Sequence, residues 1–380
     1  MEDILSRDKQ QLHQYQQDQV NLQGKELENS WINPILLQYS KDYSTQFGDT
    51  LSTGQFMIAV DQPIFKMGGI WSAIKYAKAV GEGNSIDVEL QRREEISQAL
   101  TILYNLQKSR YEAEKFRLMI LNDNLEIEIQ KESYEAGLTN RTLYDQALLK
   151  RNQDNIAKLE LDLTITKLEN DFSLLSDRSP LEVKLPHFDM IDKDRYLAEQ
   201  LELERESLRV KEKRENKYMI FTKYLPEVSV TGRYVNEDLN PLFGATGSGL
   251  NREYYTYGFK VSLPLNINSG YDIQNATVEY LNARVQKEEK QKSILNHFKL
   301  IQKRLEIIDK KIALAKEDEA AYKRMLETTQ ELEELGDKTA LDTEIVANTL
   351  KIRQIDQAIY KIDAQLELMP LYINVADALE

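Results

Sequence analysis

The sequence predicts a mainly α-helical fold that is internally duplicated and carries β-hairpins. Three observations lead there. Charged residues make up 29% of the 380 residues, while Gly and Pro number only 15 and 8. So few breakers over so long a chain imply long uninterrupted helices. Apolar residues recur at heptad spacing in several stretches. Two short segments break that rhythm and alternate apolar with polar residues, the period of a half-buried strand.

The duplication rests on two landmarks. Val60-Asp-Gln-Pro63-Ile-Phe-Lys-Met-Gly-Gly69 realigns with Val261-Ser-Leu-Pro264-Leu-Asn-Ile-Asn-Ser-Gly270 at an offset of 201 residues. Tyr134-Glu-Ala-Gly137-Leu-Thr realigns with Glu334-Leu-Gly336-Asp-Lys-Thr at an offset of 199. Two separate landmarks at nearly one spacing predict two structural repeats, 1–180 and 181–380. The first reads as a helix, a β-hairpin over 31–65, a long helix over 70–136 and a return helix over 140–176. The second reads as a helix over 190–224, a hairpin over 225–265, a long helix over 271–335 and a return helix over 339–369. The N-terminal helix, Ile4–Asn29, supplies the arm missing after 369, so the repeat closes where the chain ends meet.

The helices carry narrow seams. Leu161, Ile165, Leu168, Phe172 and Leu175 step by 4 and 3, as do Ile294, Phe298, Ile301, Leu305, Ile308 and Ile312, and then Ile352, Ile355, Ile359, Ile362, Leu366 and Met369. Such seams pack against other helices in coiled-coil fashion. Extra apolar positions beside them, Leu118-Met-Ile-Leu121 and Ile307, predict neighbours on two sides. The two long helices contain no Pro, and each spans about 100 Å if continuous. Gly81 and Gly83 mark an expected kink in the first. The return path is expected in two halves of about 50 Å each, separated by a break at Pro180 and Pro186.

In the second hairpin, Tyr255, Tyr257, Phe259, Val261 and Leu263 alternate with Thr256, Gly258, Lys260 and Ser262, opposite Val228, Val230, Gly232 and Tyr234. A polar loop, Glu237–Asn251, joins these strands. In the first, Ile35, Leu37, Tyr39 and Tyr43 lead through a turn at Phe47–Gly54 to Phe56, Ile58 and Val60. An isolated hairpin is marginal in water. Apolar-out, polar-in strands of about 10 residues with Tyr and Trp near their ends suit a transmembrane β-barrel. They also suit a soluble β-sandwich with one buried face, and alternation alone leaves both open. Four strands are too few to close a barrel, which needs about eight, so a membrane reading demands an oligomer.

Composition narrows the function. Mean hydropathy is −0.54 and no apolar run reaches the ~18 residues of a spanning helix. The balance of 63 acidic against 49 basic residues gives a net charge of −14, so nucleic acid is not an expected partner. With no Cys, disulfides and thiolate chemistry are excluded. Met1-Glu-Asp-Ile-Leu has neither the basic nor the apolar region of a signal peptide, which leaves a cytosolic protein or a mature form with an added Met as the two expectations.

Order, duplication and spacing together resemble the TolC-like outer-membrane efflux protein family over essentially the whole chain. The matching marks are Tyr224-Leu-Pro-Glu-Val-Ser-Val230 opening a strand, Val261-Ser-Leu-Pro-Leu265 closing a hairpin, and the tips Tyr134-Glu-Ala-Gly-Leu138 and Glu334-Leu-Gly-Asp337. The resemblance implies a homotrimer with a 12-stranded transmembrane β-barrel, continued by a 12-helix coiled-coil α-barrel with an equatorial belt at Pro180 and Pro186. It implies a passive exit duct in the outer membrane of a Gram-negative bacterium, its helical part in the periplasm. The partners implied are a periplasmic adaptor, an inner-membrane pump and outer-membrane lipid, serving export of drugs, ions or polypeptides. No enzymatic activity and no cofactor are implied. The chain is short for the family, with little sequence beyond Leu368 to thicken the belt, and without Cys a lipid anchor is not expected.

The candidate site residues fall into three groups. Gly137, Leu138, Thr139, Gly336, Asp337, Lys338 and Thr339 sit where the long helices end. Glycine there terminates a helix in the left-handed conformation, and the resemblance implies that these turns form the adaptor-docking lip. Thr339-Ala-Leu-Asp342 fits a capping box, as does Thr142-Leu-Tyr-Asp145. By resemblance, Asp342, six residues after Gly336, narrows the periplasmic pore. The family's second aspartate position is Ile345 here, with Glu344 beside it. Three Asp342 carboxylates in a ring would repel one another and raise the pKa of some. The third group, Tyr39, Tyr43, Tyr234, Tyr255, Tyr257 and Phe259, is expected to form a lipid-facing aromatic girdle. His13, His187 and His297 are too scattered for a zinc site, and the acidic runs at 317–319 and 331–334 read as solvated helix faces. A soluble coiled-coil scaffold with a small β-domain accounts for the heptads but not for two Tyr-rich hairpins and matched long arms.

Overall fold

The computed structural model describes residues 4–45, 50–237 and 253–376. In chain order the elements are α1 (Arg7–Glu28), β1 (Leu36–Ser44), β2 (Leu51–Phe65), α2 (Gly69–Glu135), α3 (Arg141–Ser173), α4 (Lys193–Ala198), α5 (Leu201–Thr222), β3 (Glu227–Glu237), β4 (Glu253–Ser262), α6 (Ser269–Glu334), α7 (Ala340–Leu368) and α8 (Pro370–Ile373). The fold is mainly α with β-hairpins, as the breaker count and the two periodicities predict. Two compact units divide the chain. One comprises 16–87 and 203–290; the other comprises 1–15, 88–202 and 291–380.

The first unit holds one antiparallel sheet in the order β1-β2-β3-β4. Its ladder aligns Leu37, Ile58, Tyr234 and Tyr255 in one row, and Val60, Gly232 and Tyr257 in the next row on that face. Because side chains alternate along a strand, the intervening rows, Ala59-Arg233-Thr256 and Pro63-Ser229-Lys260, face the other way. Pro63 cannot donate to a ladder, and the β2–β3 register shifts between Pro63 and Phe65. The predicted turn at Phe47–Gly54 is corrected at its second half. Leu51–Gly54 belong to β2 and pair with Lys41–Ser44, the backbone ladder overriding the weak strand propensity of Gly54. Residues 46–49 of that turn lie outside the described residues. In the other loop Glu237 closes β3, and 238–251 likewise lie outside.

Gly81 and Gly83, where a kink is expected, stand inside α2. A side chain at Gly81 would meet the Gly24 Cα of α1 at 3.6 Å, and one at Gly83 would meet Arg205 Nη1 at 2.9 Å. Arg205 Nε reaches Asp87 at 2.8 Å. These glycines therefore serve close approach of neighbouring helices. The Lys66–Gly69 turn joins β2 to α2, with Met67 at φ 44°, Gly68 at φ 86° and the Gly69 amide donating to the Lys66 carbonyl at 2.6 Å.

The second unit is built on the predicted seams. Phe172, Ile294, Phe298, Ile301, Ile308, Ile352, Ile359, Ile362 and Met369 are buried. Leu118 is buried too, while Ile307 is exposed beside buried Ile308. The helix predicted over 190–224 is corrected: it is broken into α4 and α5. Asp192 caps α4 by accepting from the amides of Asp194 and Arg195 at 2.9 and 3.2 Å. At the break, Gln200 bridges antiparallel to Val375, the Leu201 amide donates to the Asn374 carbonyl, and the Ala376 amide donates to the Glu199 carbonyl.

Part of the segment after Leu368 belongs to the core. Leu371, Ile373 and Val375 are buried, each such burial contributing about 1.5–3 kcal/mol. Buried Arg93 donates to the carbonyls of Ile373, Val375 and Ala376 at 3.1, 2.6 and 2.7 Å. The break after α3 is also seated. Gln365 of α7 accepts from the Phe188 amide at 2.7 Å and donates to its carbonyl at 3.1 Å. The Phe188 ring lies between Tyr104 and Tyr372, with centroids at 6.4 and 5.1 Å.

Candidate functional site

The two turns after the long helices share one construction. At Gly137, φ is 71°, the Leu138 amide donates to the Ser133 carbonyl at 2.9 Å and the Gly137 amide to Tyr134 at 3.0 Å. At Gly336, φ is 80°, the Asp337 amide donates to Leu332 at 2.9 Å and the Gly336 amide to Glu333 at 3.0 Å. Both are Schellman motifs, in which a left-handed residue lets two amides satisfy the last helical carbonyls. Each glycine is followed three residues later by the N-cap of the next helix. Leu138 is 82% exposed, Thr139 is half-buried, and Asp337, Lys338 and Thr339 are exposed.

The N-caps differ. Thr339 and Asp342 form the predicted capping box: the Asp342 amide donates to Thr339 Oγ1 at 3.2 Å, and Asp342 Oδ2 accepts from the Thr339 amide at 3.1 Å. Before α3 the cap is Asn140, whose side chain accepts from the Leu143 amide at 3.3 Å. The box expected at Thr142–Asp145 is therefore corrected. An asparagine two residues earlier already starts the helix, and Asp145 lies 3.5 Å from Arg141 instead.

Asp342 is part-exposed and its pKa is lowered, first by the hydrogen bond from the Thr339 amide, then by the Thr339 hydroxyl and by Lys338, whose Nζ stands 3.6 Å away. The mutual repulsion expected of a carboxylate ring acts in the opposite direction, and it would require other copies of the chain. Glu344 is exposed. The acidic run at 317–319 is only partly a solvated face, because Glu319 accepts from Gln354 and Gln357 at 2.9 and 2.6 Å.

The sheet brings the six predicted girdle residues onto one face. Tyr39, Tyr43, Tyr234, Tyr255, Tyr257 and Phe259 share it with Leu37, Ile58 and Val60 by the register above. Tyr255, Tyr257 and Phe259 are 71%, 89% and 77% exposed. Tyr234 and Tyr255 stack at 5.1 Å. The opposite face carries Arg233, Thr231, Ser229, and Lys260 paired with Asp61. At the sheet edges, β1 and β4 have no further strand partner among the described residues.

Exposed apolar stripes run on two helices. On α3 they are Leu149, Ile156 and Leu163, and on α6 Leu300, Ile307 and Leu314, each set at strict seven-residue spacing. Among the described residues these side chains are left exposed.

Sequence reasoning missed three features. Arg93 gave no signal, since its acceptors are backbone carbonyls. The C-terminal core was announced only by the short alternation Leu371, Ile373, Val375. The third is a carboxylate pair of buried Asp123 and half-buried Asp154, with Asp123 ion-paired to Lys150 and the Asp154 pKa raised by burial and then by Asp123. Among the described residues no group of three or more metal-ligating side chains converges, and no helix is long and apolar enough to cross a membrane.

Solved outer-membrane channels share this architecture. The outer membrane protein VceC of Vibrio cholerae superposes with a TM-score of 0.76 at 13% identity, covering 96% of this chain and 93% of that one. The CmeC outer membrane channel of Campylobacter jejuni gives 0.76 at 16% identity, covering 100% and 85%. The MtrE outer membrane channel of Neisseria gonorrhoeae, in its open state, gives 0.71 at 12% identity, covering 96% and 86%. No protein-family model and no curated protein matches the sequence. At these identities the likeness is one of fold, and the chain has the fold of TolC-like channels.

Proposed function

We propose that the protein is a passive exit duct in the outer membrane of a Gram-negative bacterium. Three copies close a 12-stranded barrel through their sheets and a 12-helix tunnel in the periplasm through their helices. The observation that carries this reading is the sheet: an aromatic, apolar face stands exposed above a polar face, and both edges are open. In water such a face is a liability and open edges invite aggregation. In a closed barrel the edges pair and the apolar face meets lipid. The stripes on α3 and α6 support it independently, because heptad-spaced apolar residues require a partner helix.

On this reading the turns at Gly137 and Gly336 form a lip that docks a periplasmic adaptor coupled to an inner-membrane pump. Asp342 and Glu344 line the entrance and favour cations. The duct has no catalytic role, and its energy comes from the pump. The test is reconstitution. Purified protein in planar bilayers is expected to give discrete conductance steps and to migrate in detergent as a trimer. A detergent-independent soluble species without conductance would instead support the scaffold.

A further inference from the structure

We infer that the junction between sheet and helices holds a binding site for the phosphate headgroup of an anionic phospholipid; this rests on the membrane reading above. A cleft of about 560 Å³ opens between the first turns of α2 and the last turns of α5. α2 begins four residues after β2 ends, and α5 ends five residues before β3 begins. The cleft therefore lies at the end of the sheet where Phe65 pairs with Val228. Its lining combines Trp71, Tyr218 and Phe221 with Lys75, Arg214 and Glu215.

Two properties suit a lipid at a bilayer boundary. Trp71, Tyr218 and Phe221 are 62%, 47% and 47% exposed, an aromatic surface of the kind found at headgroup level. The basic groups beside the cleft are the second property. Arg209, Lys211 and Lys213 of α5 are taken up by Glu206, Glu82 and Glu279, whereas Lys217 stands 5.4 Å from the ring centroid of Tyr218 in the lining. Within the cleft, Lys75 Nζ stands 5.2 Å from the Trp71 ring centroid. The Glu215 carboxylate is buried and held by Arg214 at 2.9 Å, so it is neutralised inside the protein and the lining keeps one net positive charge. Nearby, Lys217 stands 5.2 Å from the Tyr280 centroid. Cationic heads resting on aromatic rings present a surface that receives both a phosphate and the start of an acyl chain. Juxtamembrane basic groups attract anionic lipid in this way.

The chain has two Trp residues, so Trp31→Phe leaves Trp71 as the sole reporter. In vesicles, brominated phosphatidylglycerol is expected to quench Trp71 at roughly tenfold lower mole fraction than brominated phosphatidylcholine, the scale of one or two basic groups at a membrane surface. Lys75→Gln is expected to abolish that preference. The double change Arg214→Gln with Glu215→Gln, which removes both charges of the ion pair together and leaves the net charge of the lining unchanged, is expected to retain it; its loss there would overturn Lys75 as the phosphate contact. Inorganic phosphate at millimolar concentration should leave the preference intact; its loss would make this a free-anion site and overturn the lipid assignment. A Tyr257→Trp reporter, with both native Trp changed to Phe, separates the two readings. Quenching at 257 with no lipid preference at Trp71 overturns the headgroup site alone. No quenching at 257 by either lipid overturns the membrane reading beneath it.

Discussion

Replacing Gly336 separates folding from docking, because two substitutions carry the same backbone penalty and differ only in bulk. The residue sits at φ 80°, where any Cβ costs about 1–2 kcal/mol. That cost is common to Gly336→Ala and Gly336→Trp. A Cβ at this position meets nothing within 4 Å, so the first side-chain atom of either variant is accommodated without a clash. The two Schellman bonds, at 2.9 and 3.0 Å, use backbone atoms that both variants keep. Any difference between the variants therefore reports a surface outside the chain. In cells lacking the native channel, export-dependent resistance is expected to be near normal for Gly336→Ala and absent for Gly336→Trp, with equal amounts of assembled trimer. If Gly336→Trp exports as well as Gly336→Ala, the lip does not dock a partner at this turn, and the glycine is a helix terminator only.

The other expectations concern charge. Asp342→Ala should raise single-channel conductance and weaken block by multivalent cations, alongside a loss of about 1 kcal/mol of capping; unchanged block would leave Asp342 as a cap alone. Because the Asp342 pKa is lowered in the fold, its contribution is fully present above the ordinary carboxylate value and is lost as pH falls through the lower folded value. Melting of Asp342→Asn should accordingly lose that acid dependence. Asp154 has the opposite sign: its pKa is raised, so the folded state gains stability as pH falls through the raised value and loses it at neutral pH. Asp154→Asn should raise Tm at pH 7, with the gain shrinking in acid, and an unchanged Tm at pH 7 would contradict the buried-pair account. Arg93→Met strands three buried carbonyls, each charge-assisted bond being worth about 1.5–3 kcal/mol. It should lower Tm more than Arg117→Met, whose partner Glu114 is on its own exposed helix turn.

What was legible in the sequence is what repeats along it. The heptad seams, the strand alternation and the Gly-centred turns each recur with a fixed period, so residues as separate as Phe172 and Ile359 could be placed in a core before any contact was known. What was hidden depends on single long-range contacts. The break at Glu199–Leu201 leaves no mark in a Glu- and Leu-rich stretch of good helix formers, because its cause is a backbone bridge to Val375. The glycines in α2 look like helix breakers until Gly24 and Arg205 are seen against them. Likewise, Asn140 outcompeted the Thr142 box because capping depends on which residue leaves the helical conformation first, and a motif match does not settle that. Among the site residues, the shared face of the six aromatic side chains could be read from alternation, and the cleft at Trp71 could not, since α2 and α5 are far apart in sequence and meet through the pairing of β2 with β3 and the contacts of Arg205.

The unfilled surfaces of the two units make separate demands on the same assembly. The sheet presents two different edges, so in the proposed barrel β4 of one chain joins β1 of the next. This is a heterologous contact, which either closes into a ring or runs on indefinitely. Closure requires at least about eight strands, which excludes a single chain, and three chains supply twelve. The helical stripes are heterologous as well: one lies on α3 and the other on α6, and neither is self-complementary by sequence. On the proposed trimer, a charge placed in a stripe, such as Ile156→Lys, should reduce the amount of trimer recovered in detergent; an unchanged trimer would show that the stripe meets no partner helix.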